Sequence, residues 1–120
     1  MKARAVAKYI KGSPQKARLV IDLIRGRNVN EALAVLAASN KRAARPIEIT
    51  LRSAIANAEQ KAEQINIAID VDRLMVSTAT VDLGPTKYRR RVRPAPMGRA
   101  YRERRWQSHI TIEVETEKED

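Results

Sequence analysis

The sequence contains no cysteine and a single histidine, His109. Without thiols the chain can form neither disulfide bonds nor thiolate metal sites, and one imidazole cannot by itself build a zinc site. No partner nucleophile stands near His109 in the sequence, so a catalytic role for it is not favoured. Asp70, Asp72 and Asp82 lack the glycine and glutamate of a calcium loop, and we interpret them as solvated turn residues. The sequence therefore predicts no catalytic residue, metal, other cofactor or small-molecule substrate.

Large apolar side chains are scarce as well. The 120 residues include no phenylalanine, one tryptophan and three tyrosines, so the core of this single domain must be built from aliphatic side chains and alanine. Such a core favours close packing over a roomy ligand cavity. Residues 1–10 lack an apolar run of signal-peptide type, and no stretch approaches ~18 apolar residues. We therefore expect a soluble, cytoplasmic protein that makes no contact with a membrane.

Positive charge is what the chain has in excess. Twenty-four Lys and Arg residues against fourteen Asp and Glu residues give a net charge of +10 at pH 7, which predicts a polyanionic partner. Residues 87–105 hold nine basic residues and one acid, and residues 1–27 hold eight basic residues and one acid. On a surface of evenly mixed charge the basic residues would not be clustered in this way. Clustered basic residues are typical of a surface that binds a phosphate backbone.

The N-terminal part of the chain is patterned as an edge strand and a helix. Residues 3–10 alternate small or apolar side chains with basic ones, as in a strand with one wet face. Ser13 as N-cap and proline behind it predict a first helix over residues 14–25, with Gly26 just beyond its end. The segment at Gly12 is too poor in glycine for a phosphate-cradling loop. Basic residues beside the helix start could still hold a phosphate.

Two further helices are predicted in the first half. Asn28 or Asn30 caps a short helix that runs to residue 38. Apolar residues at helical spacing over residues 47–63 predict a third helix. Pro46 must lie in the first turn of that helix or kink it, because it has no N–H to donate.

From Leu74 the apolar period changes to two, which predicts a strand. Leu74, Val76, Thr78 and Thr80 alternate there with Met75, Ser77, Ala79 and Val81. Gly84-Pro85 is interpreted as a bulge or bend in this strand rather than its end. Residues 109–114 alternate in the same way and predict a second strand. The acidic residues 115–120 are predicted to be a disordered tail outside the single domain, residues 1–114.

Between these strands, residues 86–107 are predicted to form a long β-hairpin with its tip near residues 94–98, where Pro94, Pro96 and Gly98 are bunched. Arginine clusters are often disordered tails, but this one is internal and framed by strands. Tyrosine and tryptophan side chains interleaved with arginines are suited to stacking unpaired bases. An isolated ribbon is marginally stable in water, so we expect RNA to hold it in place.

The predicted RNA-binding residues come from both basic clusters, their interleaved tyrosines and the histidine. They are Lys2, Arg4, Lys8, Lys11, Lys16, Arg18, Arg25, Lys87, Tyr88, Arg89, Arg90, Arg91, Arg93, Arg99, Tyr101, Arg102, Arg104, Arg105 and His109.

Seven runs of residues, in order along the chain, carry a resemblance to a known family. They are 13–20 (SPQKARLV), 22–26 (DLIRG), 31–33 (EAL), 53–59 (SAIANAE), 81–85 (VDLGP), 98–100 (GRA) and 108–111 (SHIT). Together they resemble the bacterial large-subunit ribosomal protein L-twenty-two family over about residues 3–114. The chain departs from the family pattern between residues 85 and 98, where it is about two residues longer than many relatives. A second departure is Trp106, where relatives often have a basic residue.

The resemblance implies an α+β fold with three helices packed on a small three-stranded antiparallel sheet and a long protruding hairpin. It also implies a structural, non-enzymatic protein that binds large-subunit (23S) rRNA beside neighbouring ribosomal proteins and supports assembly. The hairpin is expected to line the nascent-peptide exit tunnel and to meet the passing peptide. By position, the tunnel-lining tip is Arg90, Arg91, Val92, Arg93, Pro94, Ala95, Pro96, Met97, Gly98 and Arg99.

One alternative function remains at this point, an architectural DNA-binding protein with a basic β-ribbon arm. The absence of a recognisable dimerisation face counts against it, and a small enzyme is less favoured still. Asn57 and Glu59, on the third predicted helix, are expected to serve the fold rather than to bind RNA.

Overall fold

A computed structural model of the chain describes residues 1–85, 90–94, 100–104 and 106–116. Its elements confirm the predicted α+β class. In chain order they are β1 (Lys2–Lys11), α1 (Pro14–Ile24), α2 (Val29–Ala38), α3 (Ala44–Gln64), a 3-10 turn (Val71–Arg73), β2 (Leu74–Leu83), β3 (Arg90–Pro94), β4 (Ala100–Arg104) and β5 (Gln107–Thr116).

The main sheet is antiparallel with strand order β1-β5-β2, so the last strand of the chain lies in the centre. Residues Ala5 of β1 and Ala79 of β2 both pair with Ile112 of β5. Because side chains alternate along a strand, Ile110, Ile112 and Val114 all face the core and are buried. The predicted alternation of residues 109–114 is confirmed, and so is the edge position of β1.

The three helices cover one face of this sheet and enclose an aliphatic core, as the composition predicts. Ile21 and Ile24 of α1 and Ile47 and Leu51 of α3 are fully buried. Their cluster consists of Ala, Val, Leu and Ile side chains. Helix α3 packs against β1 through alanines at four-residue spacing, and small side chains let the two backbones approach closely.

The ends of the first two helices agree closely with the sequence. Ser13 occupies the N-cap position of α1, and the helix ends at Ile24, one residue earlier than predicted. Within the described residues, no hydrogen bond from the Ser13 side chain caps the helix. Asn28, one of the two candidates, caps α2 by accepting a hydrogen bond from the backbone N–H of Asn30 at 2.9 Å.

Helix α3 begins at Ala44, three residues earlier than the pattern predicts. Pro46 therefore lies in its first turn, where a missing N–H costs no intrahelical hydrogen bond. The hydroxyl of Thr50 donates to the carbonyl oxygen of Pro46 at 2.8 Å. The first of the two predicted positions for this proline is the one observed.

The predicted strand β2 is confirmed, but the prediction that its side chains alternate without interruption is wrong. The register shifts between Val76 and Thr78, where Ser77 is an extra residue on the β2 side. Leu74 and Val76 are buried before this bulge, and Ala79 and Val81 are buried after it. Thr78 and Thr80 consequently face the solvent.

Strand β2 ends at Leu83 rather than continuing through Gly84-Pro85 as a bulge. The N–H of Gly84 still donates to the carbonyl oxygen of Gln107 at 2.8 Å, so pairing with β5 persists for one more residue. A Cβ at residue 84 would lie 3.0 Å from the Cβ of Gln107, so any side chain there would force its neighbour to shift by a few tenths of an ångström. Strand β5 extends to Thr116, two residues past the predicted domain boundary.

Strands β3 and β4 form a second, two-stranded antiparallel sheet, in agreement with the predicted hairpin. Its pairs run from Arg90 opposite Arg104 to Pro94 opposite Ala100. The rest of the predicted hairpin, including residues 95–99 of its tip, lies outside the described residues, as does the tail from residue 117. Among the described residues, no helix combines the length and apolar character that crossing a bilayer requires.

Candidate nucleic-acid interface

One end of the main sheet gathers the N-terminal basic segment and the root of the hairpin. At this end Lys11 of β1 pairs with Gln107, and Leu83 of β2 pairs with Ser108. The hairpin segment joins β2 to β5 here. The N–H of Gly12 donates to the carbonyl oxygen of Trp106 at 3.1 Å, and the Ser108 hydroxyl donates to the carbonyl oxygen of Gly12 at 3.1 Å. We call this the hairpin-root end.

The opposite end of the sheet carries compensated charge. Lys2 pairs with Glu115 in the sheet, and its Nζ lies 3.8 Å from Glu113 and 3.9 Å from Glu115. Asp70 and Asp72 precede the start of β2 at this same end. Two carboxylates therefore offset the charge of Lys2, whereas Lys8, Lys11 and Lys16 lie toward the hairpin-root end.

Asp70 and Asp72 are exposed and lie at a turn, as the sequence predicts. Asp70 accepts from the backbone N–H of Asp72 at 3.0 Å and so closes the 3-10 turn. The Asp72 carboxylate accepts from the side chain of Asn30 at 3.0 Å. In the described part of the chain, no group of three or more His, Asp or Glu side chains is placed to hold a metal ion.

A bulge in β1 fixes the position of His109. The register of β1 shifts between Ala7 and Ile10, and Tyr9 has a positive φ of 60°. The N–H of Tyr9 donates to Nδ1 of His109 at 3.1 Å, and the two rings meet edge to face with centroids 5.0 Å apart. Because Nδ1 accepts, Nε2 is the ring nitrogen left to donate to a ligand. Tyr9 is 59 % exposed and offers an aromatic face that the sequence prediction missed.

The guanidinium groups of Arg18 and Arg25 already bind to strand β2 of the protein itself. Nε and Nη2 of Arg18 donate to the carbonyl oxygen of Val81 at 3.2 and 3.0 Å. Arg25 binds the carbonyl oxygen of Ala79 in the same way. A guanidinium has five N–H donors, so each arginine keeps donors for a phosphate. Their first role is nevertheless in the protein itself.

The edge of β1 is covered in a comparable way by helix α3. The side-chain amide of Asn57 donates to the carbonyl oxygen of Arg4 at 2.9 Å, and Nζ of Lys61 donates to that of Lys2 at 2.8 Å. The expected role of Asn57 in the fold is confirmed. The Arg4 side chain lies on the exposed face of β1.

Two cations that sequence reasoning missed lie at the hairpin-root end. Lys41 and Arg42, in the connection from α2 to α3, line a groove with Lys11 and Lys16. They belong to neither basic cluster of the sequence and reach this surface only through the packing of α3. Their neighbour across the groove is Trp106, which is 43 % exposed.

Six predicted RNA-binding residues lie on the paired arms of the hairpin. The register places Arg90 opposite Arg104 and Arg93 opposite Tyr101. The same register places Arg91 opposite Glu103 and Val92 opposite Arg102. The remaining predicted hairpin residues, Lys87, Tyr88, Arg89, Arg99 and Arg105, lie outside the described part of the chain.

Comparison with known proteins identifies the family of the chain. The family model described as "Ribosomal protein L22p/L17e" matches residues 5–115. The chain is 54 % identical over 119 residues to the large ribosomal subunit protein uL22 of Solibacter usitatus (strain Ellin6076), covering 99 % of both chains. It is 51 % identical over 119 residues to the protein of that name from Halothermothrix orenii, again covering 99 % of both. The equivalent from Desulfitobacterium hafniense (strain Y51) is 46 % identical over 117 residues, 98 % of this chain and 96 % of the relative. The chain belongs to the ribosomal protein L22p/L17e family.

Proposed function

We propose that the protein is a structural component of the large ribosomal subunit that binds 23S rRNA and supports its assembly. The observation that carries this proposal is the convergence of the hairpin root, the basic end of β1 and the start of α1 at one end of the sheet. Cations gathered at one end can bind successive phosphates of an RNA backbone. Lys2, at the other end, contributes less to RNA binding because Glu113 and Glu115 offset its charge. Relatives named as large-subunit proteins support the same assignment. No observation favours the alternative of a DNA-binding protein.

The proposed mechanism has two parts. The domain docks through Lys8, Lys11, Lys16 and the remaining donors of Arg18, and each phosphate that is neutralised releases condensed counterions. The hairpin, which has nine basic residues and one acid over residues 87–105, then threads between rRNA segments, whose phosphates offset its positive charge. Its tip lines the exit tunnel beside the nascent peptide, and neighbouring ribosomal proteins contact the domain. The protein works in the cytoplasm as part of the ribosome and performs no catalysis.

The test is the salt dependence of binding to a large-subunit rRNA fragment. If ~6–10 phosphates are neutralised, affinity should fall by ~10³–10⁵-fold between about 50 and 200 mM salt. Double-stranded DNA of equal length is the control ligand and should bind more weakly at every salt concentration. A nearly flat response with rRNA, or equal affinity for DNA, would contradict the proposal.

A further inference from the structure

A groove at the hairpin-root end is lined by both basic and apolar side chains. It is about 810 Å³ in volume and lies between the start of α1, the α2–α3 connection and the root of the hairpin. This volume is within the ~300–1,000 Å³ range of small-ligand sites. The aliphatic core leaves little room inside the domain, so the groove is a surface feature made where three segments meet.

The groove combines an apolar floor with a cationic rim. The apolar lining comes from Ile10, Ala17, Leu19, Ile110 and the partly exposed Trp106. The rim carries four cations, Lys11, Lys16, Lys41 and Arg42. Among the described residues that line the groove, none is acidic.

We propose that this groove holds an unpaired nucleotide of RNA, with its base stacked on Trp106 and its phosphate between the rim cations. The inference rests on the proposed function, since it assumes that RNA is the polyanion bound at this end. It goes further by assigning one nucleotide to one place on the domain.

The chemistry of the groove selects a nucleotide over an apolar peptide. A base has two apolar faces that can stack on an indole and a polar edge that stays near solvent. Its phosphate carries the negative charge that four clustered cations require, whereas an uncharged peptide would leave those cations uncompensated. The start of α1 adds to the attraction, because the positive end of an eleven-residue helix lies beside Ser13 and Lys16.

The position of Trp106 favours the stacking of a base in the groove. Trp106 is 43 % exposed even though its carbonyl oxygen is fixed by the N–H of Gly12 at 3.1 Å. A backbone held in this way presents the indole with little cost of ordering on binding. Stacking on it offsets part of the free energy of unstacking the base.

The experiment uses the fluorescence of Trp106, which is the single tryptophan of the chain. The full-length protein is titrated at low salt with an eight-nucleotide oligoadenylate and with an abasic oligomer of equal length and charge. We expect the oligoadenylate to quench the emission strongly and the abasic oligomer to leave it nearly unchanged. Equal quenching by both oligomers, or none by either, would overturn the proposal.

Substitutions locate the binding in the groove. Measured by the fluorescence anisotropy of a dye-labelled oligoadenylate, Trp106→Ala should weaken binding by about 5- to 150-fold, the equivalent of the ~1–3 kcal/mol of one stacked base, whereas Trp106→Phe should retain most of it. Arg42→Glu should reduce quenching of the wild-type tryptophan, and Arg45→Glu, three residues along the chain and outside the groove, should reduce it less. Equal effects of the two charge reversals would place the nucleotide elsewhere. Thermal unfolding of each variant confirms that it folds.

A final measurement separates this inference from the proposed function. Ultraviolet crosslinking of reconstituted large subunits should join Trp106 to an rRNA nucleotide. A crosslink from Trp106 to another protein would show that the groove holds a protein segment and would overturn the inference while leaving rRNA binding intact. If instead the wild-type chain fails to bind large-subunit rRNA at all, the proposed function itself is wrong.

Discussion

The guanidinium of Arg25 on α1 binds the backbone carbonyl oxygen of Ala79 on β2, at 3.2 Å from Nε and 2.7 Å from Nη2. Seven residues earlier, Arg18 binds the carbonyl oxygen of Val81. The two arginines are seven residues apart, about two helical turns, so both side chains lie on the same face of α1. Val81 and Ala79 are two residues apart on β2, so their carbonyl groups point to the same edge of the strand. Helix α1 thus runs antiparallel to β2 and covers its open edge with two cations.

Covering this edge matters because an edge strand exposes unpaired N–H and C=O groups to other chains. The loop after α1 continues the cover. The N–H of Gly26 donates to the carbonyl oxygen of Val76 at 2.9 Å, and the N–H of Val76 donates to that of Arg27 at 2.9 Å. At residues 76, 79 and 81, backbone groups on the outer edge of β2 therefore form hydrogen bonds with other parts of the protein.

Removing the contacts of the Arg25 side chain should destabilise the domain. We expect Arg25→Ala to lower the free energy of unfolding by about 1–2 kcal/mol, since it removes the charge-assisted hydrogen bonds to Ala79 and the exposed ion pair with Asp22, and the Arg25 side chain is 47 % exposed. Urea denaturation followed by circular dichroism measures this. The matched control is Arg27→Ala, an exposed arginine two residues away, which should change stability by less than about 0.5 kcal/mol. Equal losses of stability for both variants would mean that these contacts of Arg25 make no specific contribution to the stability of the domain.

Gly84→Ala should be destabilising for a steric reason. The added Cβ would lie 3.0 Å from the Cβ and 3.2 Å from the carbonyl carbon of Gln107, and that backbone is held in the central strand. We expect a loss of about 1–3 kcal/mol in thermal or urea unfolding. Gly26 is the contrasting case, because its φ is +80° and nothing lies within 4 Å of an added Cβ.

The two glycines should respond differently to asparagine, which tolerates the left-handed region better than alanine. Gly26→Asn should be more stable than Gly26→Ala, whereas Gly84→Asn should be no better than Gly84→Ala. If asparagine rescued residue 84, backbone conformation rather than the contact with Gln107 would be the reason for glycine there.

The two ends of β1 should contribute unequally to RNA binding. Lys11→Gln, at the hairpin-root end, should weaken binding to an rRNA fragment and reduce the salt slope by about 1. Lys2→Gln removes the same charge from the other end of the strand, where Glu113 and Glu115 already offset it. It should have the smaller effect in the same filter-binding assay. A larger effect for Lys2→Gln would mean that RNA binds at the Lys2 end of the sheet and would contradict the proposal.

Core and hairpin substitutions should separate folding from assembly. Leu51 is fully buried, so Leu51→Ala should cost about 2–5 kcal/mol of stability through the cavity it leaves. Replacing Arg90 and Arg93 by Glu should instead reduce incorporation into large subunits while the melting temperature of the free protein stays unchanged. Unfolding of the free protein by the double replacement would show that the hairpin belongs to the core.

The sequence was most informative where one simple period governs an element. Strand β5 alternates without interruption from His109 to Val114, and the N-cap residues Ser13 and Asn28 mark two helix starts. The bulges at Ser77 and Tyr9 could not be predicted, because each depends on how one strand registers against β5. Neither residue is a glycine, and a positive φ at Tyr9 has no signal in its local sequence.

The candidate site was predictable in composition but not in arrangement. Clustering of basic residues indicates RNA binding, yet it gives Arg18 and Arg25 the same role as Lys16, although the fold uses both arginines to cover a strand edge. Conversely, Lys41 and Arg42 stand outside both clusters and join the surface only when α3 packs on the sheet. Tertiary contacts decide these roles, and no periodicity along the chain reports them.

Shortening the hairpin should separate docking from the function of its tip. Arg90 and Arg104 are paired directly, so an Asn-Gly turn can replace residues 91–103 and close the arms in a two-residue hairpin. The fold should survive, because the core lies in the helices and the main sheet. Docking through the hairpin-root end should also persist, with affinity reduced by the lost arginines. Translation of peptides that stall in the exit tunnel is the measurement, and particles with the shortened protein should stall differently from particles with the full-length chain. Identical stalling, with the shortened protein fully incorporated, would mean that the tip does not face the tunnel.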